Sequence, residues 1–240
     1  MNNKIFLRLI SLIMTVSIVF AVGGCKKNDG SSADKDTKSE TTVASDSAAV
    51  QPKIDKKSGK AVISYSKVNS EGKTESATKV YDVSKSKLNE ITMGSKADDI
   101  FKDKNKKQQF VDKAENNGID KDKQDEIINN AEKWVEFNYI AYVANTSTQR
   151  LITSFLEISK KNDNVVVNKM LDCEYSITSG SATGVLISGF VNIGKYPDEE
   201  SLLKELNGMN VQLVYTLADD STTDIDDWST VKQMKMPVSF

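Results

Sequence analysis

The chain has 240 residues, and among them there is no histidine, only three prolines and only two cysteines. Without histidine there is no Ser/His/Asp or Cys/His nucleophile. There is also no His-ligated zinc, copper or iron. Two cysteines cannot build a four-thiolate metal site. Arginine is nearly missing as well: Arg8 and Arg150 stand alone, and the rest of the 32 basic residues are lysine. The planar guanidinium fork is the group that grips phosphate, carboxylate and guanine edges bidentately, so this chain is poorly equipped for all three. Charge of one sign is lacking too. The 32 cations face 34 acids, and a net charge of −2 gives no general field toward nucleic acid or an anionic membrane.

What is present begins at the amino terminus. Lys4 and Arg8 precede residues 9–22, a mostly apolar run that falls short of the roughly 20 residues a bilayer-spanning helix needs. This is the order of a secretory signal, and it ends in Val22-Gly23-Gly24-Cys25. Small residues give a peptidase access to the backbone, and the cysteine supplies a thiolate. The segment resembles the lipobox of bacterial lipoproteins, with Val22 where leucine is commonest. The resemblance implies that residues 1–24 are removed, that Cys25 carries a diacylglycerol, and that the protein sits on the extracytoplasmic face of the cell membrane. Two or more acyl chains anchor stably, at about 0.8 kcal/mol per buried CH₂. Loss of Lys4 and Arg8 leaves the remaining chain at −4, so lipid rather than charge would do the anchoring. The abundance of lysine and asparagine resembles that of proteins from AT-rich Gram-positive bacteria.

Residues 26–52 contain no aromatic side chain and no Leu, Ile or Met; their apolar members are all Ala or Val. Such a segment buries too little to offset its chain entropy. Residues 25–57 are therefore expected to form a disordered tether, with a reach of about 30 Å as a flexible coil.

Residues 58–240 are long enough to bury a sizeable core. Residues 61–68 and 74–83, rich in Val, Tyr, Ser and Thr, flank the polar turn 69–73 and predict a β-hairpin. A short strand is expected at 89–93, closed by Gly94. The character then changes over about 96–135. Phe110, Val111 and Ala114 form one apolar face, ended by Asn116-Asn117-Gly118. Asp120 can cap a second helix whose stripe is Ile127, Ile128, Ala131, Trp134 and Val135. This predicts a helical hairpin inserted between strands. From Glu136 onward, Phe137, Tyr139, Ala141 and Val143 share one strand face while Ile140 and Tyr142 make the other apolar, as in a central strand. Further strands are expected at 151–159, 165–167, 171–177, 184–193, 211–217 and 231–238, with one helix over 199–207. That spacing predicts a mainly β fold, an immunoglobulin-like antiparallel sandwich, with a two-lobed α+β arrangement as the alternative.

The run Tyr139 to Ser147, an apolar strand followed by Asn145-Thr146-Ser147, resembles the opening of telokin-like immunoglobulin-fold domains in Gram-positive lipoproteins. The turn Ser179-Gly180-Ser181-Ala182-Thr183-Gly184 is similar to their later turn. The resemblance covers roughly 136–220, and the helix after Pro197 departs from it. It implies an extracellular binding or scaffolding module and carries no catalytic residue.

Three constellations have chemical potential. Cys173 alternates with Leu171, Tyr175 and Ile177 and is expected to be a buried core thiol. Asp219, Asp220, Asp224, Asp226 and Asp227 cluster oxygens that could hold Ca²⁺, against the plainer reading of a solvated turn; apart from this calcium no cofactor is expected. Lys102, Lys104, Lys106 and Lys107 form a basic knot that could touch extracellular DNA or teichoic acid, although seven acids balance the eight lysines of residues 96–123. The sequence thus predicts a lipid-anchored envelope module that binds a protein or polymer and is not an enzyme. The alternatives are a ligand sensor with a cleft between sandwich and helices, and a paired-carboxylate hydrolase.

Overall fold

The computed structural model describes residues 47–83, 88–222 and 224–240. Cys25 and residues 26–46 of the expected tether lie outside them. Ordered structure starts before Ser58, which corrects the expected boundary. Strands β1 (Ala49–Val50) and β2 (Ile54–Asp55) belong to the fold. Ala49 is buried, and Thr146 N–H donates to the Ala48 carbonyl at 2.8 Å. Small Ala and Val side chains fit this edge position without announcing it by composition.

The hairpin forms as β3 (Lys60–Val68) and β4 (Thr74–Asp82). Its turn is held by Asn69, whose Oδ1 accepts from the N–H groups of Glu71 and Lys73 at 3.0 Å each. Next comes β5 (Ile91–Lys96), which runs past Gly94 through a register break between Met93 and Lys96.

The insertion comprises three helices rather than a hairpin of two: α1 (Ala97–Phe101), α2 (Lys104–Ala114) and α3 (Lys121–Asn129), closed by a 3₁₀ turn at Ala131–Lys133. Asp103 caps α2, and Asp120 caps α3 by accepting from Lys123 N–H at 2.9 Å. Gly118 ends the α2 segment at φ +69°, a conformation that favours glycine. Trp134 and Val135 are not helical. They open β6 (Trp134–Asn145), and Trp134 completes the apolar stripe only because the outer face of that strand meets the underside of α3.

The remaining elements are β7 (Arg150–Ile158), β8 (Val165–Val167), β9 (Met170–Ile177), β10 (Ala182–Asn192), α4 (Glu199–Gly208), β11 (Val211–Ala218) and β12 (Met234–Pro237). The last is shorter than the 231–238 expected, because a 3₁₀ turn at Trp228–Thr230 precedes it.

Two antiparallel sheets face each other. One has the order β1-β6-β10-β8 with β5 also on β6, and the other is β12-β11-β7-β9. The fold is mainly β and sandwich-like, as expected, and a two-lobed α+β arrangement is not found. After β7 the chain crosses to β8 in the first sheet and returns to β9 beside β7, and α4 lies in the crossover before β11. The core joins Phe137, Tyr139, Ala141 and Val143 of β6 and Val185 and Ile187 of β10 to Leu151 and Leu156 of β7 and Leu213 and Tyr215 of β11. Leu151 and Leu156 can both face inward because an extra residue, Ser154, interrupts the β7–β11 register. Thr153 beside it is buried and donates to the Val214 carbonyl at 2.6 Å.

Cys173 is half-buried rather than a core thiol. Leu171 and Ile177 are buried, but the middle of β9 lies in a partly exposed stretch.

The amino-terminal segment and the chain's last residues meet over Tyr139. Its hydroxyl donates to the Ser239 carbonyl at 2.7 Å and accepts from Gln51 Nε2 at 2.9 Å. Ser239 N–H donates back to Gln51 Oε1 at 2.9 Å. Burial pushes the Tyr139 hydroxyl up to about 12.

Candidate functional site

The outer face of the five-stranded sheet decides what this sandwich can present. Each strand alternates, so β6 points Trp134, Glu136, Asn138, Ile140, Tyr142 and Ala144 outward. The two ends of this row are covered. Helices α1–α3 close over Trp134 and Phe190 through Ala97, Phe110, Ala114, Ile119 and Ile127. Phe110 meets Phe190 edge-on, with ring centroids 5.4 Å apart. At the other end the β3–β4 hairpin closes over Tyr142 and Ala144 through Ala61 and Ile63.

Between these covers Glu136, Asn138 and Ile140 remain half-buried. Thr92 of β5 lies opposite Asn138, and Ser188 of β10 lies opposite it on the other side. Asn168, just after β8, donates through Nδ2 to Ser188 Oγ at 2.9 Å. Thr92, Asn138, Ser188 and Asn168 thus form one polar row across four strands, about 14 Å long at ordinary strand spacing. Its rims are apolar: Leu88, Ile140 and Leu186 on the hairpin side, Phe190 and Val166 on the helical side.

Glu136 stands at one edge of this row. Burial raises its carboxyl above the ordinary glutamate value, and the nearby charge of Lys106 opposes that rise. Gly94 lies against this edge: a Cβ there would be in ordinary contact with the Glu136 carbonyl at 3.5 Å, Glu136 Oε2 at 3.7 Å and Asn138 Nδ2 at 4.0 Å. The strip therefore offers amides, hydroxyls and one carboxylate held poorly solvated. That set exchanges hydrogen bonds with hydroxyl and amide groups of a ligand. Its members are spread over residues 92, 136, 138, 168 and 188, and only the register brings them together, so sequence reasoning missed them.

The four lysines of the basic knot have different surroundings. Lys102 pairs with Asp99 at 2.7 Å and Asp98 at 3.5 Å. Lys106 is half-buried, and its charge reaches Glu136. Lys104 and Lys107 are exposed on α2. The acidic segment is likewise divided. Asp227 caps the 3₁₀ turn by accepting from Ser229 N–H at 2.9 Å and from its hydroxyl at 2.7 Å, which holds its carboxyl below the usual range. The Asp220 carbonyl accepts from Arg150 Nε at 3.0 Å, while Asp219 is exposed at the same turn. Asp224 and Asp226 lie near Glu174, whose carboxyl is raised chiefly by burial. Among the described residues no three acid or thiol groups converge as a metal site would require.

A cavity of about 320 Å³ is lined by Gln149, Thr216, Leu217, Val231, Lys232 and Met234, and another, of about 90 Å³, lies where α3 meets β8, beside Gly118, Lys123 and Lys169. The latter is small against the 300–1,000 Å³ of ligand pockets. Of its two acids, Asp120 is committed to the α3 cap. No described helix is long and apolar enough to cross a membrane.

Comparison with known proteins adds little. No family model matches the chain. No curated protein matches it. A crystal structure of a protein from Archaeoglobus fulgidus is similar at 14% identity, covering 45% of this chain and 87% of that one, with a TM-score of 0.20.

Proposed function

We propose that this protein is a lipid-anchored binding module of the extracytoplasmic cell surface, tethered through Cys25, and that it holds an uncharged polar polymer of the envelope, such as a glycan strand, without turning it over. The observation that carries this reading is the polar row Thr92–Asn138–Ser188–Asn168, left open between two covers on the sandwich face. Hydroxyls and amides on a flat sheet match the alternating donors and acceptors of a saccharide, and the apolar rims at Ile140 and Leu186 suit the faces of sugar rings. The charges disfavour an anionic polymer such as DNA or teichoic acid: Glu136 stands in the strip, and Lys102 is spent on Asp98 and Asp99.

The test is cosedimentation of the full chain, in detergent, with insoluble wall glycan stripped of teichoic acid. Retention should be lost in Asn138→Leu/Ser188→Leu and should change little with salt. Equal binding by the double variant, or binding that falls steeply with salt, would overturn the proposal.

A further inference from the structure

The β3–β4 hairpin projects an unpaired edge. Sheet order places β4 outermost, after β2 and β3. Edges of this length are usually blunted by a proline, a bulge or charged side chains, and a charge blunts an edge only against a partner that cannot match it. Strand β4 has no proline, and its pairing with β3 runs from Lys60↔Asp82 to Val68↔Thr74 without a register shift. Its two inner charges, Glu75 and Lys79, are four residues apart, symmetric about Ala77.

The direction of the free backbone groups follows from the ladder. Asn69 N–H bonds the Lys73 carbonyl at one end, and Val83 N–H bonds the Gly59 carbonyl at the other. Alternation between them means that residues 75, 77, 79 and 81 bond β3. Ser66 N–H, pointing away from β4 to the Thr146 carbonyl, agrees with this phase. The N–H and C=O groups of Thr74, Ser76, Thr78 and Val80 therefore point outward.

The structure assigns this edge to a second copy of the same chain: we propose a homodimer in which two β4 strands pair antiparallel about Ala77. In that register Thr74 meets Val80 and Ser76 meets Thr78 of the partner copy as hydrogen-bonded pairs, all with outward backbone groups. On the inner face Glu75 meets the partner's Lys79, twice by symmetry. Among the described residues no carboxylate pairs with Lys79, which lies 4.9 Å from the Tyr81 ring centre; Glu75 is held by Lys67 at 3.2 Å and stays half open. Shifting the register by one step toward the turn sets Lys79 against the partner's Lys73, a like-charge pair, so the charges select one alignment.

The outer face supports the same register. Val62, Val68 and Val80 are exposed at 54%, 57% and 49%. Val62 sits across from Val80, and Val68 across from Thr74. Pairing about Ala77 lines up Val62, Val80 and the partner's Thr74 and Val68 in one row, so apolar side chains that stand singly in the monomer become neighbours.

The experiment is sedimentation velocity of the full chain with detergent micelles in large excess, so that shared micelles do not count as association. A two-protomer mass is expected. Lys79→Glu should weaken association about tenfold, and Glu75→Lys/Lys79→Glu should recover it. Ala77 faces its own copy at a non-hydrogen-bonded position, where Cα atoms approach to about 4.5 Å, within disulfide range. In a Cys173→Ser background, Ala77→Cys should therefore cross-link on mild oxidation while the exposed control Asp219→Cys does not. A monomeric wild type, a dimer indifferent to Lys79→Glu, or cross-linking no faster at 77 than at 219 overturns the proposal.

Discussion

Trp134 is fully buried where three elements meet, and its indole N–H has no protein acceptor among the described residues. The ring lies under α3, with Lys123 Nζ 5.6 Å from its centre, and packs with Ile127, Phe110 and Phe190. Two substitutions separate packing from polarity. Trp134→Ala removes the whole ring from a site roofed by three helices, and truncation of a buried aromatic costs about 3–5 kcal/mol. Trp134→Phe keeps most of the ring contact and deletes a donor whose unmet hydrogen bond costs about 1–3 kcal/mol. The two terms oppose each other, so the phenylalanine variant should lie within about 1 kcal/mol of wild type. Urea denaturation gives both numbers, and hydrogen exchange should show faster opening of α1–α3 in the alanine variant alone. A phenylalanine variant as unstable as the alanine one would refute the argument.

Three further outcomes are expected. Burial raises the Glu136 carboxyl in the folded state, so the fold binds that proton more tightly than the unfolded chain and loses stability as pH rises through the raised value; Glu136→Gln should raise the urea midpoint at pH 7, with the gain vanishing below the ordinary glutamate range. Asp198 caps α4 by accepting from Ser201 N–H at 2.8 Å, and that helix buries Leu202 and Leu206, so Asp198→Ala should cost about 1 kcal/mol in thermal unfolding. Cys25→Ala should move the protein from the membrane fraction to the medium or stall its precursor, and unchanged membrane retention on fractionation would sink the lipid anchor.

The sandwich was legible because burial on both faces of β6 and alternation in β7, β10 and β11 are properties of contiguous residues. Asp120 and Gly118 announced their helix boundaries through local chemistry. What stayed hidden depends on distant partners. Ala49 reads as tether because two small residues carry no pattern, yet pairing with Ala144 and Asn145 fixes β1. Trp134 reads as the last turn of a helix because its spacing from Ile127 fits one, although the two meet across a change of element. The site is the extreme case: Thr92, Asn138 and Ser188 lie in separate strands and Asn168 just after a fourth, and nothing in the chain marks them until the register is known.

Tyr139 has a consequence for the order in which the protein becomes native. Its hydroxyl is satisfied by Gln51 and Ser239, which lie 88 residues before it and 100 after it. Neither partner is brought near by any local turn, so closing this junction requires the sheets to have assembled first. The Gln51–Tyr139–Ser239 junction therefore acts as a latch that closes only on an assembled sandwich.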